Sequence, residues 1–371
     1  MVLDLFCFTV LVLRMANPSL EQEIFDPMDF EAMGDGETDD GQVALVWVAM
    51  VDAWDSACEH RAPAIFVIPK RTFLAGPATF EGPCRVTPKV QILGTVKAVP
   101  SMNDYYNPGW FEFKNLNGLE IGGGGTLDGQ GAASWNNPNC PPRRSCKSRP
   151  IQSFSPTCMQ SMRLLRVTNA TIGNLTFVNS KGFHIGVQQS SSVTISRLQI
   201  SAPADSPNTD GIHISRSDNV IFTGLNIGTG DDCISIGQGV NNLQISDVTC
   251  GPGHGISLGK YMNEEDVSGV TVRNCTVSGT TNGVRIKTWP GSPPSQASNF
   301  TFEDIIMHNV SNPIIIDQHY CPNHNCVVSS DRALGDAAVS GEDPGRDVPE
   351  NSRDLERSRS GQTVVQRNHG L

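Results

Sequence analysis

Residues 183–236 read FHIGVQQSSSVTISRLQISAPADSPNTDGIHISRSDNVIFTGLNIGTGDDCISI. Short apolar runs recur in this stretch: Phe183-His184-Ile185, Ile212-His213-Ile214 and Ile234-Ser235-Ile236. Beyond it come Ile256-Ser257-Leu258, Val284-Arg285-Ile286 and Ile314-Ile315-Ile316, so the six starts lie 29, 22, 22, 28 and 30 residues apart. A second series runs between them, at Val193-Thr194-Ile195, Val220-Ile221-Phe222, Leu243-Gln244-Ile245, Val270-Thr271-Val272 and Phe300-Thr301-Phe302. A third follows at Leu198-Gln199-Ile200, Leu225-Asn226-Ile227 and Cys275-Thr276-Val277. Three short strands per turn, each turning apolar residues inward, is the pattern of a parallel β-helix. A leucine-rich repeat would show a stricter period, a leucine scaffold and an asparagine ladder, and a β-sandwich would need hairpin turns. The expected fold class is all-β: a single-stranded parallel β-helix.

Outward from this stretch, β-rich runs extend from about Pro63 to Gln318 with no helix-length amphipathic pattern. Before them, Asp39 to Cys58 reads as a short capping helix. Asp39 or Asp40 can cap it, and Ala44, Val48, Val51 and Trp54 or Asp55 follow its period. Residues 1–16 hold an apolar run, Val2 to Leu13, that reads as an atypical signal peptide, since Asp4 stands where a basic residue is usual. Eleven cysteines, one of them Cys7, leave ten after such a segment, and none forms a CxxC motif. Cys233 with Cys250, and Cys321 with Cys326, are spaced as short disulfide loops could be. With N-x-S/T sequons at Asn169, Asn174, Asn274, Asn299 and Asn309, this favours an oxidising, secretory route. The net charge is -11 and only 18% of residues are charged. That argues against a nucleic-acid partner and against binding an acidic membrane surface. Any acidic substrate would need a local cluster of cations.

Stacking converts the period into a site. Equivalent residues on successive coils lie about 4.8 Å apart. Two positions before each first-series run stand Lys181, Asp210, Asp232, His254, Asn282 and Asn312. Asp210, Asp232 and His254 are thus expected on three consecutive coils, with Asp231 adjoining Asp232. Arg285 and Lys287 follow, on one strand face because their spacing is two. Strict alternation would send the acids inward beside Ile212 and Ile234, so a bend is required at Gly211, Cys233 and Gly255. Crowded carboxylates hold one proton more readily than isolated ones, and one protonated acid beside one ionised base is what glycosidic cleavage requires. Two nearby cations suit a sugar that carries a carboxylate. Singly, these residues have plainer readings: an Asp-Asp pair is usually a turn or a helix cap, and a lone histidine between glycines is seldom catalytic. The glycines 122–125 are turn residues, because no strand-to-helix context makes them a phosphate loop.

Four ordered motifs, Asn208-Thr209-Asp210, Gly230-Asp231-Asp232, Gly253-His254-Gly255 and Arg285-Ile286-Lys287, make the chain resemble the plant polygalacturonases. The likeness runs from about Phe25 to Cys326 and includes GDGETDD and GGGGTLDGQG. It implies a right-handed parallel β-helix over residues 25–326 that hydrolyses α-1,4 links between galacturonic acid units of pectin, with inversion and no cofactor or metal. Asp231 then resembles the general acid, Asp210 and Asp232 the water-activating bases, and His254 the support of the acid. Arg285 and Lys287 resemble the residues that bind the sugar carboxylate, and Asn208 one that orients the acids. The resemblance implies a secreted, monomeric enzyme of the plant cell wall. Its acid–base gap is expected at about 6.5–9.5 Å, wider than one coil spacing.

Three departures stand out. The helix QVALVWVAMVDAW is longer than the family's, and Phe30-Glu31-Ala32 replaces its FGA. After Cys326 the family implies further coils and a substrate-binding tyrosine. Residues 327–371 instead hold no aromatic residue and 14 charged ones, a composition expected to stay disordered and to leave the solenoid truncated. The competing readings are a polyuronate lyase using calcium on the aspartates, and an inactive pectin binder.

Overall fold

The computed structural model describes residues 22–37, 44–100, 105, 107–135, 159–259, 263–289, 292–321 and 362–365. The expected signal segment and the two capping aspartates lie outside them. So does the tail, apart from Gln362–Val365, whose backbone pairs antiparallel with Ile305–His308.

The chain winds as a right-handed parallel solenoid with two long sheets. One is a nine-stranded sheet that includes Gln160–Leu165, Phe183–Gln188, Ile212–Ser215, Ile234–Ile236, Ile256–Leu258, Asn282–Lys287 and Asn312–Asp317. Ile212, Ile234, Ile256, Val284 and Ile314 share one row of it, as the periodicity requires. The first run is out by two: Ile185, not Phe183, pairs with Ile212. Phe183 therefore shares the row of Asp210, and Lys181 drops out of that row. Its buried ammonium instead donates to the carbonyl of Gly129 at 2.7 Å. The slip arises because Phe183-His184-Ile185 and Ile185-Gly186-Val187 have the same apolar pattern, and only backbone pairing separates them.

The second and third series are not separate strands in these coils. They fuse into single strands of 10 to 12 residues: Thr168–Val178, Ser191–Ser201, Asp218–Gly228, Asn241–Cys250, Val267–Ser278 and Ala297–His308. Each is bent at two left-handed residues five apart: Asn169 and Asn174, Ser192 and Arg197, Asn219 and Gly224, Asn242 and Asp247, Gly269 and Asn274, Asn299 and Asp304. Asparagine, aspartate and glycine predominate because they enter that region at least cost. An asparagine ladder does exist: Asn242 donates to Asn219, and Asn241 to Asp218. Its period is hidden in sequence because serine and glycine replace asparagine on some coils. All five sequon asparagines are exposed residues in this left-handed conformation, so backbone geometry alone accounts for asparagine there.

Inside, the rows are continuous hydrocarbon. Ile195, Phe222 and Ile245 stack on consecutive coils with no exposure. Phe222→Ala should lower unfolding free energy by about 3–5 kcal/mol, through lost burial and the cavity left in a stack that cannot collapse. Urea unfolding checks this, and a loss under about 1 kcal/mol would contradict the packing described. The capping helix is Ala44–Glu59. Its buried stripe is Met50, Ala53, Trp54 and Ala57, one position off the face read from sequence, because Trp54 sets the rotation. Its indole N–H donates to the Glu81 carbonyl and its rings pack on Phe66, Phe80 and Phe113. A Cys58–Cys84 disulfide closes the cap.

Candidate active site

Asp210, Asp232 and His254 each stand two residues before a strand of the nine-stranded sheet, where the coil turns onto that face. The main-chain ladder runs through the turns: Gly211 N–H donates to Asp232 O at 2.9 Å, and Cys233 N–H to Gly255 O at 2.8 Å. Bends at Gly211 and Cys233, and a left-handed Gly255, break the alternation as the expectation requires. At Gly255 the φ of +85° and a Cβ that would lie 2.1 Å from Asn282 O exclude a side chain. The result is that the Asp232 carboxylate reaches Ser257, which points away from the core between Ile256 and Leu258. A Cys233–Cys250 disulfide joins the residue after Asp232 to the strand that leads into His254. This is one of the two pairings read from spacing, and a loop of this size contributes about 3 kcal/mol. Cys321 is also disulfide-bonded, and Cys326, its expected partner by spacing, lies outside the described residues.

The expected open wall has two tiers. Asp210, Asp232 and Lys287 lie at 3%, 5% and 5% exposure, while Asn208, Asp231, His254 and Arg285 are only partly buried above them. In the lower tier Asp232 accepts from Ser257 Oγ at 2.6 Å and from Lys287 Nζ at 3.3 Å. Lys287 is thus engaged with an acid, not displayed beside Arg285 on the surface. In the upper tier His254 Nδ1 lies 2.8 Å from Asp231 Oδ1. The same oxygen accepts the Asp232 N–H at 2.8 Å, which orients the carboxyl. One ligating atom each of Asp231, Asp232 and His254 fall within 4.8 Å of one another. That is tighter than the inverting range, so Asp232 crowds Asp231.

The Asp231 hydrogen bond raises the His254 pKa above its ordinary value. Burial opposes it, and the charges of Asp231, Asp232 and Asp210 add to it. A raised folded-state pKa makes the imidazolium a stabilising partner below the unfolded value of about 6.5, and this is lost as pH rises through the folded value. The midpoint difference between wild type and His254→Gln should therefore be largest in weakly acidic buffer and shrink above neutrality. A pH-independent difference would contradict the pairing.

Sequence reading missed two further residues of the site. Ser257 is visible only as the middle of an apolar run, and its role needs the register that sets it beside Asp232. Tyr320 precedes Cys326, whereas the tyrosine implied by resemblance was sought beyond it. The Arg285 guanidinium lies 5.2 Å from its ring centroid and Lys287 Nζ 5.4 Å, a contact worth about 0.5–2 kcal/mol. Tyr320 N–H donates to Thr288 O, and Trp289 packs edge-on against the ring. Asp317 stands 3.8 Å from Arg285. The wall therefore offers an acid held by an imidazole, a buried carboxylate held by an ammonium, and a guanidinium braced by an aromatic ring. Such a set can protonate one oxygen while another carboxylate takes a proton from water.

Comparison with known proteins agrees with this chemistry. A polygalacturonase of Gossypium barbadense is 42% identical over 323 residues, spanning 86% of this chain and 76% of that protein. An exopolygalacturonase of Oenothera organensis is 45% identical over 281 residues, 75% of each. The solved exopolygalacturonase of Thermotoga maritima superposes with a TM-score of 0.65 at 19% identity, over 80% of this chain and 78% of that one, which supports the fold. Residues 58–334 match the family described as glycosyl hydrolases family 28. With its coil register and its paired acids in place, the chain belongs to that family of glycoside hydrolases.

Proposed function

We propose that the chain hydrolyses the α-1,4 bonds of polygalacturonate, the polymer its curated relatives are named for, by an inverting acid–base reaction. The observation that carries this is the His254–Asp231 pair beside a buried, ammonium-held Asp232. Asp231 gives its proton to the glycosidic oxygen as the bond from C1 to that oxygen breaks. Water adds to C1 from the opposite face and loses a proton to Asp210 or Asp232. The raised pKa of His254 keeps a proton on the imidazole, 2.8 Å from the Asp231 carboxyl. Arg285, stacked on Tyr320, takes the carboxylate of a sugar unit. Lys287 serves Asp232 first and shares in that recognition from below, and Asn208 orients the acids. The -11 net charge makes these cations necessary for a polyanionic substrate. The chain is read as a secreted monomer acting on pectin in the plant cell wall, with no nucleic acid or membrane partner.

A calcium-dependent lyase fits less well. An ammonium already neutralises Asp232, and an imidazole with raised pKa adds a second positive charge beside it. Digestion of polygalacturonate tests both readings together. Hydrolysis releases reducing ends without ultraviolet-absorbing product, withstands chelator, and inverts the anomeric configuration of the first product by NMR. Absorbing, chelator-sensitive product would select the lyase, and binding without turnover the inactive homologue.

A further inference from the structure

We propose that Thr209, with Ser206 behind it, is a positioning residue that sets the place of Asp231 relative to Asp210, an inference that rests on the hydrolase reading above. Thr209 is fully buried between Asn208 and Asp210. Its Oγ1 reaches across to the next coil and accepts the N–H of Gly230, the residue before Asp231, at 3.1 Å. The same oxygen lies 2.6 Å from Ser206 Oγ, and Ser206 Oγ lies 2.6 Å from Pro203 O. A backbone N–H can only donate and a carbonyl can only accept, so Gly230 donates to Thr209 and Ser206 can donate to Pro203, while the Thr209 hydroxyl has both Ser206 Oγ and, at 3.2 Å, Ser206 O as acceptors. The two backbones abut here: a Cβ on Gly230 would lie 1.9 Å from Ser206 O. Thr229 Oγ1 adds a bond to Asp231 O at 3.3 Å.

The strut joins two segments outside the strands, one carrying a base and the other the acid. Main-chain bonds tie the two coils on either side of this point, Ala202 N–H to Gly228 O and Gly211 N–H to Asp232 O, and His254 N–H to Asp231 O ties Asp231 to the coil that follows; the strut ties Gly230 to the coil that precedes. Without the strut, residues 230–231 could shift against residues 203–209 between those two fixed points while the core stayed intact. A displacement of about 1 Å in a catalytic group costs on the order of 100-fold in rate.

Thr209→Val keeps the shape and removes the hydroxyl, while Thr209→Ser keeps the hydroxyl and removes the methyl. The readouts are kcat and KM on polygalacturonate by reducing ends, the pH profile of kcat, and the thermal midpoint of each protein. Thr209→Val should lose about 10- to 100-fold in kcat with KM within about twofold. Its pH profile should be displaced, because the Asp231–Asp210 separation sets how strongly each charge opposes ionisation of the other. Thr209→Ser should recover to within about threefold of wild type, as the hydrogen bonds return. A Thr209→Val enzyme with unchanged kcat would overturn the strut, and so would a loss that only tracks its unfolded fraction with an undisplaced pH profile. Wild type that releases no reducing ends would overturn the hydrolase reading itself, and this inference with it.

Discussion

Replacing Asp231 with asparagine is expected to cut kcat on polygalacturonate by about 100- to 10,000-fold, with KM changed only a few-fold. The size follows from what one positioned acid supplies to a transition state. KM should be spared because Arg285, the proposed partner of the sugar carboxylate, and Tyr320 behind it are untouched. The fold should also be spared, since Asp231 is partly exposed and its main role is to face His254. A second readout separates this from general damage. The His254 pKa is raised chiefly by its hydrogen bond to Asp231, and burial pulls the other way. Removing the carboxylate should drop the imidazole pKa, read from ring proton shifts across a pH titration. An Asp231→Asn enzyme with wild-type kcat, or an unmoved imidazole pKa, would remove Asp231 from the acid role.

Lys287→Met should produce the largest loss of stability among the site variants, about 3–5 kcal/mol in denaturant unfolding. Lys287 and Asp232 are both almost wholly buried, with side chains 6% and 7% exposed. Deleting the ammonium leaves a buried carboxylate with Ser257 as its remaining side-chain donor at 2.6 Å. The cost is mostly that of stranding a charge, so it should be partly relieved when the charge is also removed. The double variant Lys287→Met, Asp232→Asn should recover stability relative to Lys287→Met alone, while activity stays low if Asp232 is a base as proposed. If Lys287→Met unfolds like wild type, Lys287 is a surface cation after all, and the two-tier arrangement is wrong.

The fold was legible because a solenoid repeats its instruction. Ile212, Ile234, Ile256, Val284 and Ile314 carry the same row position at coil-length spacings. Register was less legible. Phe183 and Ile185 are equally good starts for an apolar run, and the choice between them is a matter of backbone pairing that leaves no mark on side-chain type. The bends escaped proof for a related reason. Alternation alone sends Asp210 and Asp232 into the core. Glycine at 211 and 255 and a disulfide at Cys233 make the outward turn tolerable, but several other conformations tolerate them equally.

The amino-acid sequence by itself determined that acids and cations from distant segments share one wall, because a periodic chain must place equal positions one coil apart. Only the tertiary structure decided the tiers of that wall. It put Lys287 beneath Asp232, set Ser257 and Tyr320 beside them, and tied Thr209 to Gly230. These are contacts between side chains on different coils. Their energy depends on a few tenths of an ångström and on which groups lose water, and neither quantity is written in spacing.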